Sequence, residues 1–295
     1  MGFKDILKER LKDKIGEIAG KGSEDPLGHV DLDKLPSGFQ RVGDIIVLNL
    51  DEEFDSVKKE IGEVVLDIFK VRSVCNKFGI ITGKFREPQI EVIAGDNNTI
   101  VTHIEHGCKY RFDIRKVMFA KGNVSERVRI AEQVKSGEII VDMFAGLGYF
   151  TIPIGKLSDA EKVYSIELNP ISFEFLQENI KINHIHNVIA INGDCKEEVN
   201  KLVSEGVKAD RVLLGYLPPP KEFLPWAFKI VKKNGIIHYE DLIKVSEKEE
   251  DIDRVVSEIR DVAKDFGFDV SLIEAKKVKA YGPMIDHYVF DFLVK

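Results

Sequence analysis

The spacing of hydrophobic residues predicts helices and short strands in about the first 115 residues. Leu7, Leu11, Ile15 and Ile18 recur every three or four positions, which predicts an amphipathic helix that ends at Gly20-Lys21-Gly22-Ser23. Short apolar runs separated by turns then predict strands and one further helix. The predicted strands are 45–50, 79–81, 89–93, 99–104 and 110–114, and the helix is 54–68. This part of the chain is therefore predicted to form a small α+β domain.

From residue 139 onward, segments with strand and helix patterns alternate. Strands are predicted at 138–144, 162–167, 188–191, 211–215 and 235–239, and helices at 150–158, 172–183, 196–205, 221–232 and 248–266. Such alternation is typical of a doubly wound, mostly parallel α/β sheet. The last two strands, 269–275 and 287–294, have no helix between them and should pair antiparallel. We therefore expect an N-terminal helix and linker (1–40), a small α+β domain (41–116) and an α/β domain (117–295).

A glycine-rich loop, VDMFAGLGYF from Val141 to Phe150, follows the first strand of the predicted α/β domain. Gly146 and Gly148 allow a tight turn and a close approach of the backbone to a ligand. Thr151 stands where the third residue of a dinucleotide-binding G-x-G-x-x-G loop is Gly or Ala, which weakens an NAD interpretation. Asp142 at the strand end favours a ligand with a positive charge, such as S-adenosylmethionine. On this loop alone, an ordinary βα turn is an equal alternative.

Acidic residues also end the next two predicted strands. Glu167 lies nineteen positions after Gly148, where an acid can accept hydrogen bonds from ribose hydroxyls. Asp194 follows the third strand, where its carboxylate can accept from an adenine amine while the N–H of Cys195 donates to the ring. Because the carboxyl ends of parallel strands meet at one edge of a sheet, these acids together predict a nucleoside cofactor site.

Composition and charge argue against several other classes of protein. The 295 residues include 43 basic and 50 acidic side chains, and the net charge of −7 argues against an indiscriminate nucleic-acid binder. Three scattered cysteines are too few for a disulfide framework. The loose motif of His103, His106 and Cys108 lacks a fourth ligand, so we expect no metal. No apolar run reaches the roughly 18 residues of a membrane span, and we expect a cytoplasmic protein.

Three segments resemble a family of tRNA enzymes that modify the purine beside the anticodon. They are DMFAGLGYFTIPIGK from Asp142, SIELNP from Ser165 and GYLPPP from Gly215, and the likeness extends over nearly the whole chain. One branch of the family methylates guanine at N1. The other transfers the 3-amino-3-carboxypropyl group of S-adenosylmethionine to a tricyclic guanine derivative during wybutosine synthesis. The resemblance implies a class I S-adenosylmethionine-dependent, Rossmann-like doubly wound sheet with an antiparallel last strand.

Two positions favour the aminocarboxypropyl branch. In the methylating branch the glycine loop is usually followed by Pro-Phe, and the fourth strand ends in Asn-Leu-Pro. Here the loop continues with Tyr149-Phe150, and no Asn precedes Leu217-Pro218. The expected reaction modifies C7 of 4-demethylwyosine at nucleotide 37 of tRNA-Phe and releases methylthioadenosine. A tRNA guanine-N1 methyltransferase is the alternative. A nucleoside-binding regulator without catalysis is a third possibility, and the three strand-end acids argue against it.

The resemblance also implies which residues form the site. Arg127, in the segment that joins the two domains of the family, is a candidate contact to the cofactor or the target base. The alternative for Arg127 is a helix-surface residue paired with an acid. Tyr149 and Tyr216 are the other candidate catalytic residues. The implied cofactor-binding residues are Arg127, Asp142, Phe144, Gly146, Gly148, Glu167, Leu168, Asp194, Cys195, Leu217 and Pro218.

Basic residues are concentrated between residues 70 and 116, which we call the basic segment. It carries nine basic and five acidic side chains within a chain that is acidic as a whole. Phosphate contacts supply much of the affinity for RNA, and interleaved aromatic rings, here Phe78, Phe85 and Tyr110, can stack on unpaired bases. An ordinary solvated face with core aromatics is the alternative. We expect the anticodon region of tRNA to contact Lys84, Arg86, Lys109 and Arg111.

Overall fold

The computed structural model describes residues 2–19, 30–79, 83, 85–119 and 121–295. The chain divides into two compact units. The first unit consists of Met1–Ile104 and Tyr110–Phe119, and the second of Glu105–Lys109 and Ala120–Lys295. The second unit therefore includes a short segment, 105–109, that precedes its main part in the sequence.

Within the described residues, the first unit contains two α-helices and most of six strands. They are α1 (Phe3–Ala19), β1 (Gln40–Val42), β2 (Ile45–Leu48), α2 (Lys58–Phe69), β3 (Ser73–Lys77), β4 (Ile90–Gly95), β5 (Ile100–Glu105) and β6 (Cys108–Asp113), with 3₁₀ turns at Leu32–Lys34 and Glu52–Phe54. Strands β1 to β4 form one sheet in that order, in which β2 and β3 are parallel and the other pairs are antiparallel. Strands β5 and β6 form a separate two-stranded sheet.

Helix α1 belongs to the hydrophobic core of the first unit. Leu7, Leu11 and Ile15 are spaced by four residues, so they lie on one face of the helix and are buried. They pack in one cluster with Ile61 and Val65 of α2. The sequence set residues 1–40 apart as a helix and linker, whereas the structure places the helix inside the small domain because this apolar face is buried there. The predicted helix end at 20–23 lies outside the described residues.

The second unit contains a seven-stranded sheet. Its elements are α3 (Val124–Gln133), β7 (Ile139–Asp142), α4 (Thr151–Leu157), β8 (Lys162–Glu167), α5 (Pro170–Ile182), β9 (Val188–Asn192), α6 (Cys195–Ser204), β10 (Ala209–Leu214), α7 (Leu224–Ile230), β11 (Val231–Lys244), α8 (Lys248–Asp265), β12 (Val270–Gly282) and β13 (Ile285–Val294), with 3₁₀ turns at Lys121–Asn123, Lys221–Phe223 and Val245–Glu247. The strand order is β12-β13-β11-β10-β7-β8-β9.

The sheet has the predicted doubly wound topology. Neighbouring strands from β11 through β10, β7 and β8 to β9 are parallel, and β13 is antiparallel to both β11 and β12. The chain runs outward from β7 in one direction to β9 and in the other to β11. The switch point therefore lies between β7 and β10, and in open α/β sheets ligands bind at the carboxyl ends of strands beside such a point.

Several elements differ in extent from their predictions. Strand β11 continues five residues beyond Tyr239 because its whole second half pairs with β13, from Tyr239 opposite Phe290 to Lys244 opposite Ile285. Polar residues in this stretch concealed the continuation from a hydrophobicity pattern. Strand β3 is missing from the prediction for the same reason, because it buries Ser73 and Asn76. The predicted strand 79–81 falls largely on residues 80 and 81, which lie outside the described ranges.

Candidate active site

Asp142 lies at the end of β7 and is fully buried. Its Oδ2 accepts a hydrogen bond from Thr151 Oγ1 at 2.8 Å, and its Oδ1 accepts one from the backbone N–H of Phe144 at 3.3 Å. Burial raises the pKa of Asp142 to about 7, and the charges of Glu167 and Glu240 add to this rise while the two hydrogen bonds oppose it. Thr151, which stands in the third glycine position of the loop, therefore has a role that sequence reasoning missed: it anchors the carboxylate.

The glycine loop turns as its sequence predicts. Gly146 and Gly148 have φ values of +58° and +103°, a region that side chains other than glycine rarely adopt. A Cβ at Gly148 would lie 2.6 Å from the Ile152 side chain, and a Cβ at Gly146 would lie 2.7 Å from the Tyr149 ring. Both the backbone conformation and the available space therefore require glycine.

Glu167 at the end of β8 supports this loop. Its Oε2 accepts from the N–H of Gly146 at 2.7 Å, and its Oε1 accepts from the N–H of Asn169 at 2.7 Å. Burial raises the pKa of Glu167, and these hydrogen bonds oppose the rise. Leu168, the next residue, is 38% exposed beside this carboxylate. Glu167 thus connects the end of β8 to the glycine loop that follows the neighbouring strand, β7.

Asp194 and Cys195 lie at the start of α6. The Asp194 side chain caps the helix by accepting a hydrogen bond from the N–H of Lys196 at 2.8 Å. Burial raises the pKa of the Cys195 thiol to about 12, so this side chain is a neutral thiol at physiological pH. The N-terminus of α6 is therefore held in place beside the carboxyl end of β9.

Aromatic rings connect the glycine loop with the segment after β10. The rings of Phe144 and Tyr216 stack with centroids 5.1 Å apart, and Phe223 meets Phe144 edge-on at 4.9 Å. The next residue, Leu217, is buried, Pro218 is exposed, and the peptide bond between them is cis. The ring of Tyr216 therefore lies beside the glycine loop, whereas the exposed Pro218 is open to a ligand.

Arg127 is a buried residue of α3. Its side chain is 2% exposed, and its Nη1 donates to Glu105 Oε2 at 2.6 Å. The guanidinium carbon lies 4.7 Å from the centre of the Tyr149 ring, a cation–π distance. The alternative prediction, that Arg127 lies on a helix surface and pairs with an acid, is wrong about the surface location. The pairing with an acid is present. Two of the three candidate catalytic residues, Arg127 and Tyr149, are thus in contact.

One acidic residue of this edge was missed by the sequence prediction. Glu240 follows Tyr239 in β11, is 5% exposed, and has Oε2 at 3.2 Å from Nε2 of the buried His287. The predicted strand stopped at Tyr239, so no pattern marked the next residue as a strand-end acid. His238 and Tyr239 are packed within the strand, at 2% and 1% exposure.

The four basic residues proposed for RNA binding lie in two places along the chain, at 84–86 and in β6. Lys84 lies outside the described residues, and Arg86 has a positive φ of +57° in a turn. Arg111 lines a depression of about 400 Å³ in the first unit together with Arg72. Lys109 belongs to the second unit, where its backbone N–H donates to Asn183 Oδ1 at 2.9 Å.

The aromatic residues of the basic segment separate into two groups. Phe78 and Phe85 are 57% and 39% exposed. Tyr110 is 1% exposed and lies 5.7 Å from the ring of Phe119, so it is a core residue of the first unit rather than a stacking platform for bases. The alternation in β6 places Tyr110 on the buried face and its neighbours on the exposed face.

In the part of the chain that the structure describes, no three His, Cys, Asp or Glu side chains come together as a metal site. None of the helices within the described ranges is both long and apolar enough to cross a membrane.

Comparison with known proteins places this site in a family. The model of the TRM5/TYW2 methyltransferase domain matches residues 99–272, which is more than half of the chain. The chain belongs to the TRM5/TYW2 methyltransferase family. A second model, the TYW2 N-terminal domain, matches residues 25–99. The TRM5/TYW2 match covers the glycine loop, the three strand-end acids and Glu240.

Individual relatives of this family match almost end to end. The tRNA(Phe) (4-demethylwyosine(37)-C(7)) aminocarboxypropyltransferase of Pyrococcus horikoshii is 36% identical over 287 residues, which are 96% of this chain and 97% of that protein. The crystal structure of P. horikoshii TYW2 in complex with MeSAdo has a TM-score of 0.77 at 34% identity and covers 96% of this chain and 98% of its own. A complex of aTrm5 with tRNALeu has a TM-score of 0.75 at 29% identity and covers 100% of this chain and 80% of its own.

Proposed function

We propose that this protein transfers the 3-amino-3-carboxypropyl group of S-adenosylmethionine to C7 of 4-demethylwyosine at nucleotide 37 of tRNA-Phe and releases methylthioadenosine. The observation that carries the proposal is the match, over 97% of its length, to an aminocarboxypropyltransferase named for this reaction. The additional match of residues 25–99 to the TYW2 N-terminal domain supports the same branch.

The residues at the carboxyl edge of the sheet fit S-adenosylmethionine. When bound, this donor supplies an electrophilic carbon next to a sulfonium, which is a good leaving group. Asp142 and Glu167 end β7 and β8, Asp194 follows β9, and Gly146 and Gly148 leave room where a Cβ would meet other side chains. We assign the carboxylate of Glu167 to the ribose hydroxyls and that of Asp194 to the adenine amine. The remaining proposed cofactor contacts are Phe144, Leu168, Cys195, Leu217, Pro218 and Arg127.

The protein's contribution to the reaction is mainly orientation. The nucleophilic carbon of the base has to approach in line with the departing sulfur, so the side chains must turn the aminocarboxypropyl chain towards it. The stacked rings of Phe144 and Tyr216 form an apolar wall beside the glycine loop. We assign Arg127, Tyr149 and Tyr216 as the candidate catalytic residues.

We further propose that the anticodon region of tRNA-Phe binds through the basic segment. The candidate contacts are Lys84, Arg86, Lys109 and Arg111, and the exposed rings of Phe78 and Phe85 are available for stacking. Tyr110 is excluded from this role by its burial. The cytoplasmic location expected from the sequence stays a prediction.

The alternative reaction is methylation of guanine at N1. The chain is also similar to a member of the methylating branch, aTrm5, at 29% identity. The segment Gly215-Tyr216-Leu217-Pro218 favours aminocarboxypropyl transfer, because it lacks the Asn that precedes Leu-Pro in the methylating branch. The by-product of turnover and the mass gained by the tRNA distinguish the two reactions.

The test is incubation with S-adenosylmethionine and tRNA-Phe that carries either 4-demethylwyosine or unmodified guanine at position 37. We expect methylthioadenosine and a mass gain of one aminocarboxypropyl group on the 4-demethylwyosine tRNA alone. Formation of S-adenosylhomocysteine with the guanine tRNA would show the methyltransferase instead. Boiled enzyme is the control for spontaneous breakdown of the donor.

A further inference from the structure

Glu240 is buried at the carboxyl edge of the sheet, and one of its two carboxylate oxygens accepts no hydrogen bond from the described residues. The residue is 5% exposed, and its Oε1 has no hydrogen-bond partner among the described residues. Leu214 of β10 pairs with Tyr239 of β11, so Gly215 and Glu240 are the next positions along the two strands. A Cβ on Gly215 would lie 3.7 Å from Oε1 and 2.7 Å from the ring of Phe150. The free oxygen therefore faces the start of segment 215–218.

The other oxygen of the Glu240 carboxylate lies close to His287. Oε2 lies 3.2 Å from Nε2 of this histidine, which is 0% exposed. Neither ring nitrogen of His287 makes a well-aligned hydrogen bond within the described residues, so the imidazole does not compensate the carboxylate fully. Leaving a buried carboxylate oxygen without a donor is costly, which indicates that a bound group supplies the donor.

The neighbouring acids use their oxygens differently. Both oxygens of Asp142 and both oxygens of Glu167 accept hydrogen bonds from protein groups. The charges of Glu167 and Glu240 each raise the pKa of Asp142, so each of these two acids lies close enough to repel the Asp142 carboxylate. A cationic ligand would relieve this repulsion, and Glu240 has the oxygen that is available to it.

We propose that Glu240 Oε1 accepts a hydrogen bond from the α-ammonium group of S-adenosylmethionine and so directs the aminocarboxypropyl chain towards segment 215–218. Glycine is required at position 215, because any side chain there would begin 2.7 Å from the Phe150 ring and 3.7 Å from this oxygen. In this role Glu240 is a binding residue that selects which carbon of the donor faces the nucleophile. The choice of the carbon that faces the nucleophile rests on the proposed function, whereas the contact between Glu240 and the ammonium group does not.

The test compares ligands with and without the amino-acid chain that carries the ammonium group. Binding of S-adenosylmethionine, S-adenosylhomocysteine and methylthioadenosine is measured by calorimetry, without tRNA, on the wild type and on Glu240→Gln. The first two ligands carry the ammonium and methylthioadenosine lacks it. We expect the affinity for both amino-acid ligands to fall by about 10- to 100-fold, as for loss of a charged hydrogen bond, with methylthioadenosine unchanged. Unchanged binding of methylthioadenosine also shows that the variant is folded.

Three results would overturn the inference. They are an equal loss for all three ligands, no loss for any, and a loss for S-adenosylmethionine alone, which would assign Glu240 to the sulfonium. Glu247→Gln is the matched control, because it removes an exposed carboxylate just after β11. If Glu240→Gln does not fold, Glu240→Asp withdraws the oxygen while keeping the charge and should give the same selective loss. Because no tRNA is present, the outcome is independent of the product analysis that tests the proposed function.

Discussion

The carboxyl edge of the seven-stranded sheet and the basic segment hold their charged side chains in different ways. At the sheet edge, Asp142 and Glu167 are enclosed and each accepts two hydrogen bonds from nearby protein groups. In the basic segment, the described candidates lie in a turn, in a hairpin or on an exposed strand face, as Arg86, Lys109 and Arg111 do. The first arrangement is preorganised for a small ligand. The second suits a large polyanion, which needs charge more than exact placement of each group.

Among the tests of the preorganised sheet edge, substitution of Gly148 should have the largest effect. Gly148→Val combines a φ of +103° with contacts to the side chains of Ile152 and Leu176 that a Cβ could not avoid. We expect the affinity for methylthioadenosine, measured by calorimetry, to fall by about 100-fold or more. The control is Gly38→Val, where an added Cβ meets nothing within 4 Å. Retention of affinity in Gly148→Val would mean that the loop does not approach the ligand.

A smaller change tests whether Glu167 positions the loop. Glu167→Gln replaces one acceptor of two backbone hydrogen bonds by an amide donor, which should displace Gly146. We expect about a tenfold loss of affinity for methylthioadenosine and S-adenosylmethionine alike, unlike the selective loss in Glu240→Gln. Glu161→Gln, an exposed residue just before the same strand, serves as the control. A loss confined to S-adenosylmethionine would contradict a contact to the ribose.

Charge reversal sharpens the other side of the comparison. In the double variant Lys84→Glu with Arg86→Glu, we expect tRNA affinity to fall by about tenfold at physiological salt, with a shallower salt dependence, because phosphate contacts are lost. Affinity for methylthioadenosine should not change. Fluorescence anisotropy with labelled tRNA-Phe measures the effect, and Lys201→Glu with Lys233→Glu, on exposed lysines of the second unit, is the matched control. Equal losses in both double variants would indicate an unspecific charge effect.

The smallest effect concerns the pH dependence of stability. The pKa of Asp142 is about 7 in the folded protein, above its ordinary value of 3.8, so its contribution to stability is present below about pH 4 and is lost as pH rises through 7. The variant Asp142→Asn has no carboxyl group at this position and therefore lacks this pH-dependent contribution to stability. Between pH 6 and 8 the free energy of unfolding of the ligand-free wild type should fall by about 1 kcal/mol relative to the variant, measured by urea denaturation. A parallel pH dependence of the two proteins would place the pKa of Asp142 near its ordinary value.

Local sequence predicted the parts of the site that are built from neighbouring residues. Strand β8 begins and ends where its pattern predicted, and Glu167 is its last residue. The glycine loop has positive φ at Gly146 and Gly148, since glycine permits that conformation wherever it occurs. The sequence placed Thr151 at the third position of the glycine motif, but its bond to Asp142 depends on how α4 begins, which a G-x-G-x-x-G motif does not describe.

The sequence by itself determined the alternating architecture of the second unit, the loop and the three strand-end acids. Strand period, glycine conformation and the ends of consecutive strands are all encoded within a few residues. Only the tertiary structure decided the roles of Glu240, Arg127 and Tyr110. Glu240 meets Gly215 across a strand pair, Arg127 meets Glu105 twenty-two residues away, and Tyr110 is buried against Phe119. These contacts depend on strand register and packing between distant segments, and hydrophobic periodicity contains no information about either.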